Sequence, residues 1–303
     1  MKVLKSYGHG IKEATLQPKM VFVLWVVNFL FGAVFYIMIS GILSEFWGKS
    51  LAAEKLFKEF DMNYFFELMV HKEAAFQSLI SVGILLFGLY FLVSIFLYGG
   101  ILHTVDQRQN LGQGKRGSSK SGKKNQRFSG VFFQGAGKYF GRFFRLYIYS
   151  LILWAVFGVL NVSIHFFFVK VLGTQNAGEK TLFYLFWVRV GIGIFLLFLV
   201  LMVLDYSRIR VVVEDTRKVF RSLLQGIQFV FQKLGKTLAL YSMLVVTGLI
   251  LLAGYWLLKS VIPGKTLGFV LLAFLVGQVF IFARGWLRII FQAAQMKYFK
   301  VSS

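Results

Sequence analysis

Arg189 is the residue in this chain whose position most needs a chemical reason. It lies seven residues into an apolar run, Leu182–Leu204, that carries no other charge. At about 1.5 Å of helical rise per residue that is roughly 10 Å below the end of the run. A guanidinium at such depth in hydrocarbon costs a few kcal/mol on insertion scales, so intramembrane Arg defaults to a functional hypothesis. Its planar fork of donors suits phosphate oxygens better than an ammonium does. In the preceding apolar run Asn161 and His165 stand at i, i+4, on one helical face and at similar depth. The three residues suggest a polar pocket for a lipid phosphate. The competing expectation is that Arg189 snorkels outward while Asn161 bonds a neighbouring helix.

A second constellation surrounds Asp205, the acid at the end of the same run. Arg208 is one turn on, and Arg284 and Arg288 follow the last apolar run. A pair between Asp205 and one of these arginines would tie the fourth run to the sixth. Its loss should cost more stability than loss of Asp106, because one partner would be left buried and unpaired.

Other groups are poorer candidates. Glu67 and His71 are at i, i+4, but two ligands do not make a zinc site, and a surface ion pair is the better reading. "LGQGKRGSSKSGKKNQR" (111–127) has the wrong Gly, Lys and Ser spacing for a P-loop, and "PGKT" (263–266) lacks the upstream Gly. With no Cys, disulfides, thiolate metal sites and Cys nucleophiles are excluded. No Ser-His-Asp order or paired intramembrane carboxylates stand out, and His165 is the one base near Arg189. The expectation is therefore a protein without catalytic residues, metal or cofactor.

The elements that position these residues follow from composition. A mean hydropathy of +0.70 with 36 Phe and only 15% charged residues does not fit a soluble domain. Six apolar runs are long enough to cross a bilayer: Met20–Leu43, Leu79–Leu102, Leu146–Val169, Leu182–Leu204, Leu238–Leu258 and one from Leu267 to about 288, past Arg284. In lipid each backbone must satisfy its own hydrogen bonds, so these are helices. The fold expected is all-α: one polytopic six-span bundle over residues 1–303. The first run is too long for a signal-peptide core and reads as a retained helix.

Lys and Arg are divided unequally. Alternating the connections between two sides places 25 basic and five acidic residues on the side of the termini, eight basic and seven acidic on the other. One face is thus +20 and the other +1, and the positive-inside bias makes both termini cytoplasmic. The basic loop 106–127, with no apolar periodicity, reads as flexible, with anionic headgroups as its natural partners. No nucleic acid is expected, since no aromatics interleave with its charges. The outer loop 44–76 carries Leu56, Phe57, Phe60, Tyr64, Phe65 and Leu68 and reads as short amphipathic helices.

Basic amphipathic stretches precede the third and fifth spans. In one, Phe132, Phe133, Ala136, Phe140 and Phe143 share a face opposite Lys138, Arg142 and Arg145. In the other, Asp215 or Thr216 should cap a helix with Phe220, Leu223, Leu224, Ile227 and Val230 on one face. Gln134-Gly135 aligns with Gln225-Gly226, and a shorter version, "GHGIKEATLQPK", precedes the first span. The chain reads as three parallel units, each a surface helix followed by a two-span hairpin. "DYSRIRVVVED" (205–215) and "GAGKYFGRFFRL" (135–146), with the six-span layout, resemble a group of bacterial integral membrane proteins of unassigned activity. That group is similar to the membrane domain that some bacteria fuse to glycerophosphodiester phosphodiesterases. The resemblance implies a six-helix protein of a bacterial inner membrane, and it carries no activity, because nothing here corresponds to the phosphodiesterase domain. The function expected is non-enzymatic, organising lipids or an envelope complex. The alternative is a transporter or exporter subunit, which should have broken spans or midplane polar residues.

Overall fold

The computed structural model describes residues 2–47, 73–112, 128–171, 178–262 and 266–302. Among them there is no strand. In order the helices are α1 (Lys2–Thr15), α2 (Pro18–Trp47), α3 (Glu73–Gly112), α4 (Phe128–Phe166), α5 (Glu179–Val213), α6 (Val219–Gln232), α7 (Leu234–Ser260) and α8 (Leu267–Ser302). The last turn of α4 widens into a π-helix at Phe167–Val171. Helices α2, α3, α4, α5, α7 and α8 are each long and apolar enough to cross a membrane. The chain is an all-α, six-span, multi-pass membrane protein.

Four of these helices far exceed a span. α3 has 40 residues, α4 39, α5 35 and α8 36. At 1.5 Å per residue they reach about 50–60 Å, against about 30 Å of hydrocarbon. The surplus lies at the basic end, the end that carries both termini, and there the buried residues collect. In α4 they run from Phe132 to Ser150, in α5 from Met202 to Val212 and in α8 from Gly285 to Phe299. The other ends of the spans expose Val159, Phe183, Leu257 and Leu271, as a lipid-facing surface should. The basic stretch before the third span is therefore not a separate surface helix, as expected from its amphipathic pattern. It continues unbroken into the span, because nothing between Phe128 and Phe166 interrupts the backbone ladder. α1 and α6 are separate helices. α6 also starts later than expected: Lys218 occupies the cap position, and Thr216 Oγ1 accepts the Lys218 N–H at 3.2 Å.

The chain divides into two compact units. The smaller, residues 22–95, is the first hairpin. In it Tyr90 donates to Asn28 Oδ1 at 2.8 Å and sets its ring edge-on to Phe31, 5.2 Å away.

The larger unit, residues 1–21 and 96–303, holds the three amphipathic stretches, and each uses a glycine to approach a returning span. A Cβ on Gly10 of α1 would lie 2.7 Å from Ala294 Cβ of α8. One on Gly135 of α4 would strike His103 of α3, and one on Gly226 of α6 would strike Ser207 of α5. Small residues allow this closeness, which is how membrane helices gain packing energy. Each amphipathic stretch thus leans on the returning helix of the preceding hairpin, and α1 closes the circle on α8. Each is also tied to its own hairpin: Glu13 pairs with Arg108 of α3 at 3.6 Å, Arg142 reaches Asp215 beyond α5, and Lys233 donates to the Ser302 carbonyl of α8. Burial repeats with the same register. Counting from Ser207 and Ala294, Met202 matches Ile289, Val203 matches Ile290, Ile209 matches Met296 and Val212 matches Phe299, all buried. This threefold collar is the counterpart of the three units read from the sequence.

Candidate functional site

The returning helices α3, α5 and α8 meet inside the collar through polar side chains. Asp205 of α5 accepts from Arg208 Nη1 at 2.9 Å, from Tyr98 of α3 at 3.3 Å and from Gln295 of α8 at 3.4 Å. Gln109 of α3 donates to the Ala293 carbonyl of α8 at 3.0 Å. The Arg208 guanidinium is sandwiched between the rings of Tyr98 and Tyr147, each 4.8 Å from it, and Arg288 covers Tyr98 at the same distance. Asp205 and Arg208 expose 15% and 10% of their side chains, so the pair is shielded from water and its attraction is little screened. Among the expected partners of Asp205, Arg208 takes the pair, Arg288 contributes through the shared tyrosine, and Arg284 lies exposed without a described hydrogen bond. The aromatic sandwich and Gln295 carried no signal in one dimension, because Tyr98, Tyr147 and Gln295 all lie far from Asp205 and Arg208 along the chain. Buried Gln292, one turn before Gln295, keeps both amide atoms without a hydrogen-bond partner.

A second charged cluster lies where α5 turns into α6. Asp215 has φ of 48°, a left-handed conformation that Asp tolerates better than most residues. Its Oδ1 accepts from Arg142 and its Oδ2 from Lys138, both at 2.7 Å. Burial opposes ionisation of Asp215, but the hydrogen bonds and charges of Lys138 and Arg142 override it and hold the carboxyl down at about 2. Arg142, expected on the solvated face of its helix, is buried and occupied with this grip. Because the folded carboxyl is depressed, its contribution is present above the unfolded value near pH 4 and is lost as pH falls towards 2. Thermal unfolding of wild type and Asp215→Asn should therefore differ at pH 6, and the gap should shrink steadily as pH falls from about 4 towards 2. A constant gap across that range would remove Asp215 from the account.

Asp106 is also engaged. Lys300 of α8 contacts its Oδ1 at 2.7 Å, with side-chain exposures of 9% and 15% for Lys300 and Asp106. The sequence expectation that Asp106 is the lesser acid therefore loses its contrast, since both carboxylates are buried in pairs.

Of the residues expected to form an outer pocket, Asn161 sits on the α4–α5 seam. Asn161 donates through Nδ2 to the Phe157 carbonyl at 2.9 Å, and its Oδ1 lies 3.3 Å from where a Gly193 Cβ would stand. His165 and Arg189 are exposed, and neither makes a hydrogen bond or ion pair with a described residue. They are not enclosed in a cavity with Asn161.

On α6 the apolar residues split between two faces. Val219, Leu223, Phe229 and Val230 are buried in the collar, while Phe220, Leu224 and Phe231 are 48%, 50% and 59% exposed. Arg217, Lys218 and Arg221, at the start of the same helix, are exposed as well. Glu67, His71 and most of the outer loop 44–76 and of the basic loop 106–127 lie outside the described residues, as do three of the four residues of "PGKT". Among the described residues no group of three or more acids or histidines could hold a metal. No family model, curated protein or solved structure matches the chain.

Proposed function

We propose that this is a non-enzymatic protein of a bacterial inner membrane, with both termini cytoplasmic, that engages and organises anionic lipid at its basic face. The observation that carries the reading is the exposed stripe Phe220, Leu224 and Phe231, with exposed Arg217, Lys218 and Arg221 at the start of the same helix. A helix of this kind lays its apolar side into the headgroup boundary and its cations among anionic headgroups. The +20 face supports the same orientation. The charges of the collar support a scaffolding role, because Asp205, Asp215 and Asp106 each hold a cation from another part of the chain or the next helical turn.

Two measurements test this. A reporter fused after Ser118 should behave as cytoplasmic, and periplasmic activity there would reverse the orientation. At ~1 kcal/mol per basic residue, replacing Arg217, Lys218 and Arg221 together by Ser should weaken retention of phosphatidylglycerol in a native mass spectrum by about a hundredfold. Unchanged retention would reject the lipid reading of α6.

A further inference from the structure

At the end of the bundle opposite the collar, α4 and α5 run antiparallel in a constant register. Tyr147 faces Arg208, and further along Asn161 faces Gly193. Four residues beyond that point, the same register sets His165 of α4 level with Arg189 of α5. One step of four residues rotates a helical position by only ~40°, so both positions stay beside the seam. Both are exposed, and neither makes a hydrogen bond or ion pair with a described residue, though the His165 ring lies 6.0 Å from that of Phe166. Lys170, little more than a turn past His165, adds a second cation, with its ammonium 5.6 Å from the Phe166 ring.

Among the described residues no acid pairs with these charges. Among the described residues of α4 and α5, Glu179 is the one carboxylate on this half, ten positions from Arg189 and so about 15 Å away along the axis. Around the seam Phe166, Phe186 and Trp187 are each more than half exposed, which is the surface of a helix pair in contact with acyl chains. A guanidinium and an imidazole at one level of two neighbouring helices, in apolar surroundings and with no carboxylate beside them among the described residues, suit an anion. Both present N–H donors, and the Arg fork matches two phosphate oxygens at once.

We propose that the α4–α5 seam holds the phosphate of one membrane phospholipid, gripped by Arg189 and His165, with its chains against Phe166, Phe186 and Trp187. This site lies in the leaflet opposite the basic face and goes beyond the function proposed above. Snorkelling alone would need only a long cationic side chain. A phosphate site needs the fork and the second helix.

The test uses the full chain, purified in one mild detergent, with phospholipid counted by native mass spectrometry. The series is wild type, Arg189→Lys, Arg189→Leu and His165→Leu. All are made in the Arg217→Ser, Lys218→Ser, Arg221→Ser background, so that lipid at the basic face is not counted. Arg189→Leu should lose retention about tenfold, as removal of a charge-assisted hydrogen bond does, with Arg189→Lys and His165→Leu losing part of it. Since both side chains are exposed, all four proteins should melt together. Should Arg189→Leu unfold, His165→Leu decides. Equal retention throughout overturns the proposal, and so does full retention in Arg189→Lys, which is the snorkelling result. Displacement of the lipid by inorganic phosphate in the wash would assign the seam to free phosphate and overturn the lipid. Failure of the background substitutions to release lipid bears on the basic face alone and leaves this comparison intact.

Discussion

Asp205→Ala should unfold at a markedly lower temperature in detergent than the wild type, with a loss of about 3–5 kcal/mol. The reason is what it leaves behind. The Arg208 guanidinium would stay between the Tyr98 and Tyr147 rings, 10% exposed, with its carboxylate gone. The hydrogen bonds of Tyr98 and Gln295 would go with it. Removing one member of a buried pair costs more than removing both, because an unpaired buried charge is the expensive product. Asp205→Ala with Arg208→Met should therefore recover much of the loss, and a double-mutant cycle measures the difference. Glu179→Ala, in the exposed first turn of α5, is the control and should change little. If Asp205→Ala melts with Glu179→Ala, the polar centre does not hold the returning helices together.

Two Gly→Ala changes on one helix, two residues apart, should have opposite signs. A Cβ on Gly137 meets nothing within 4 Å, so Gly137→Ala gains only helix propensity, about 1 kcal/mol. A Cβ on Gly135 would meet the Cβ and ring of His103, and a Cβ cannot swing away as a flexible side-chain end can. Gly135→Ala should then lose about 1–3 kcal/mol through overpacking. His103→Gly in the same molecule should restore room and most of the loss, whereas His103→Ala should not. Thermal unfolding of the four proteins checks this, and equal shifts for Gly135→Ala and Gly137→Ala would separate α4 from α3.

The six spans and the unequal charge were legible because hydrocarbon thickness and insertion bias act on runs of residues, whatever their tertiary partners. Asp205 could be marked for a pair because an acid at a span end is rare in this composition, and Arg208 stands one turn away. The continuity of α4 was not legible. An amphipathic stretch followed by an apolar one has the same pattern whether or not the chain bends between them. Nor could periodicity show that α6 has two apolar faces, since Leu223 and Leu224 look alike until one is covered by α5. The alignment of Gly135 with Gly226 was visible, but its meaning depends on His103 and Ser207, which lie elsewhere in the chain.

The circular arrangement also has a consequence for biosynthesis. Of the described helices α1 is made before all the others, whereas the surface it packs against, from Ile290 to Ala294, is made after the other five spans. Contacts so distant in sequence pay their loop-closure entropy late and slow assembly. During translation the first two hairpins can insert and pair in turn, α4 against α3, while Ser6, Gly10 and Ala14 wait uncovered. The same closure brings the two ends of the chain onto neighbouring helices. Joined tail to head and opened instead between α3 and α4, the same sequence would make the Gly10 contact on α8 local and leave the Gly135 contact on His103 as the one that closes last.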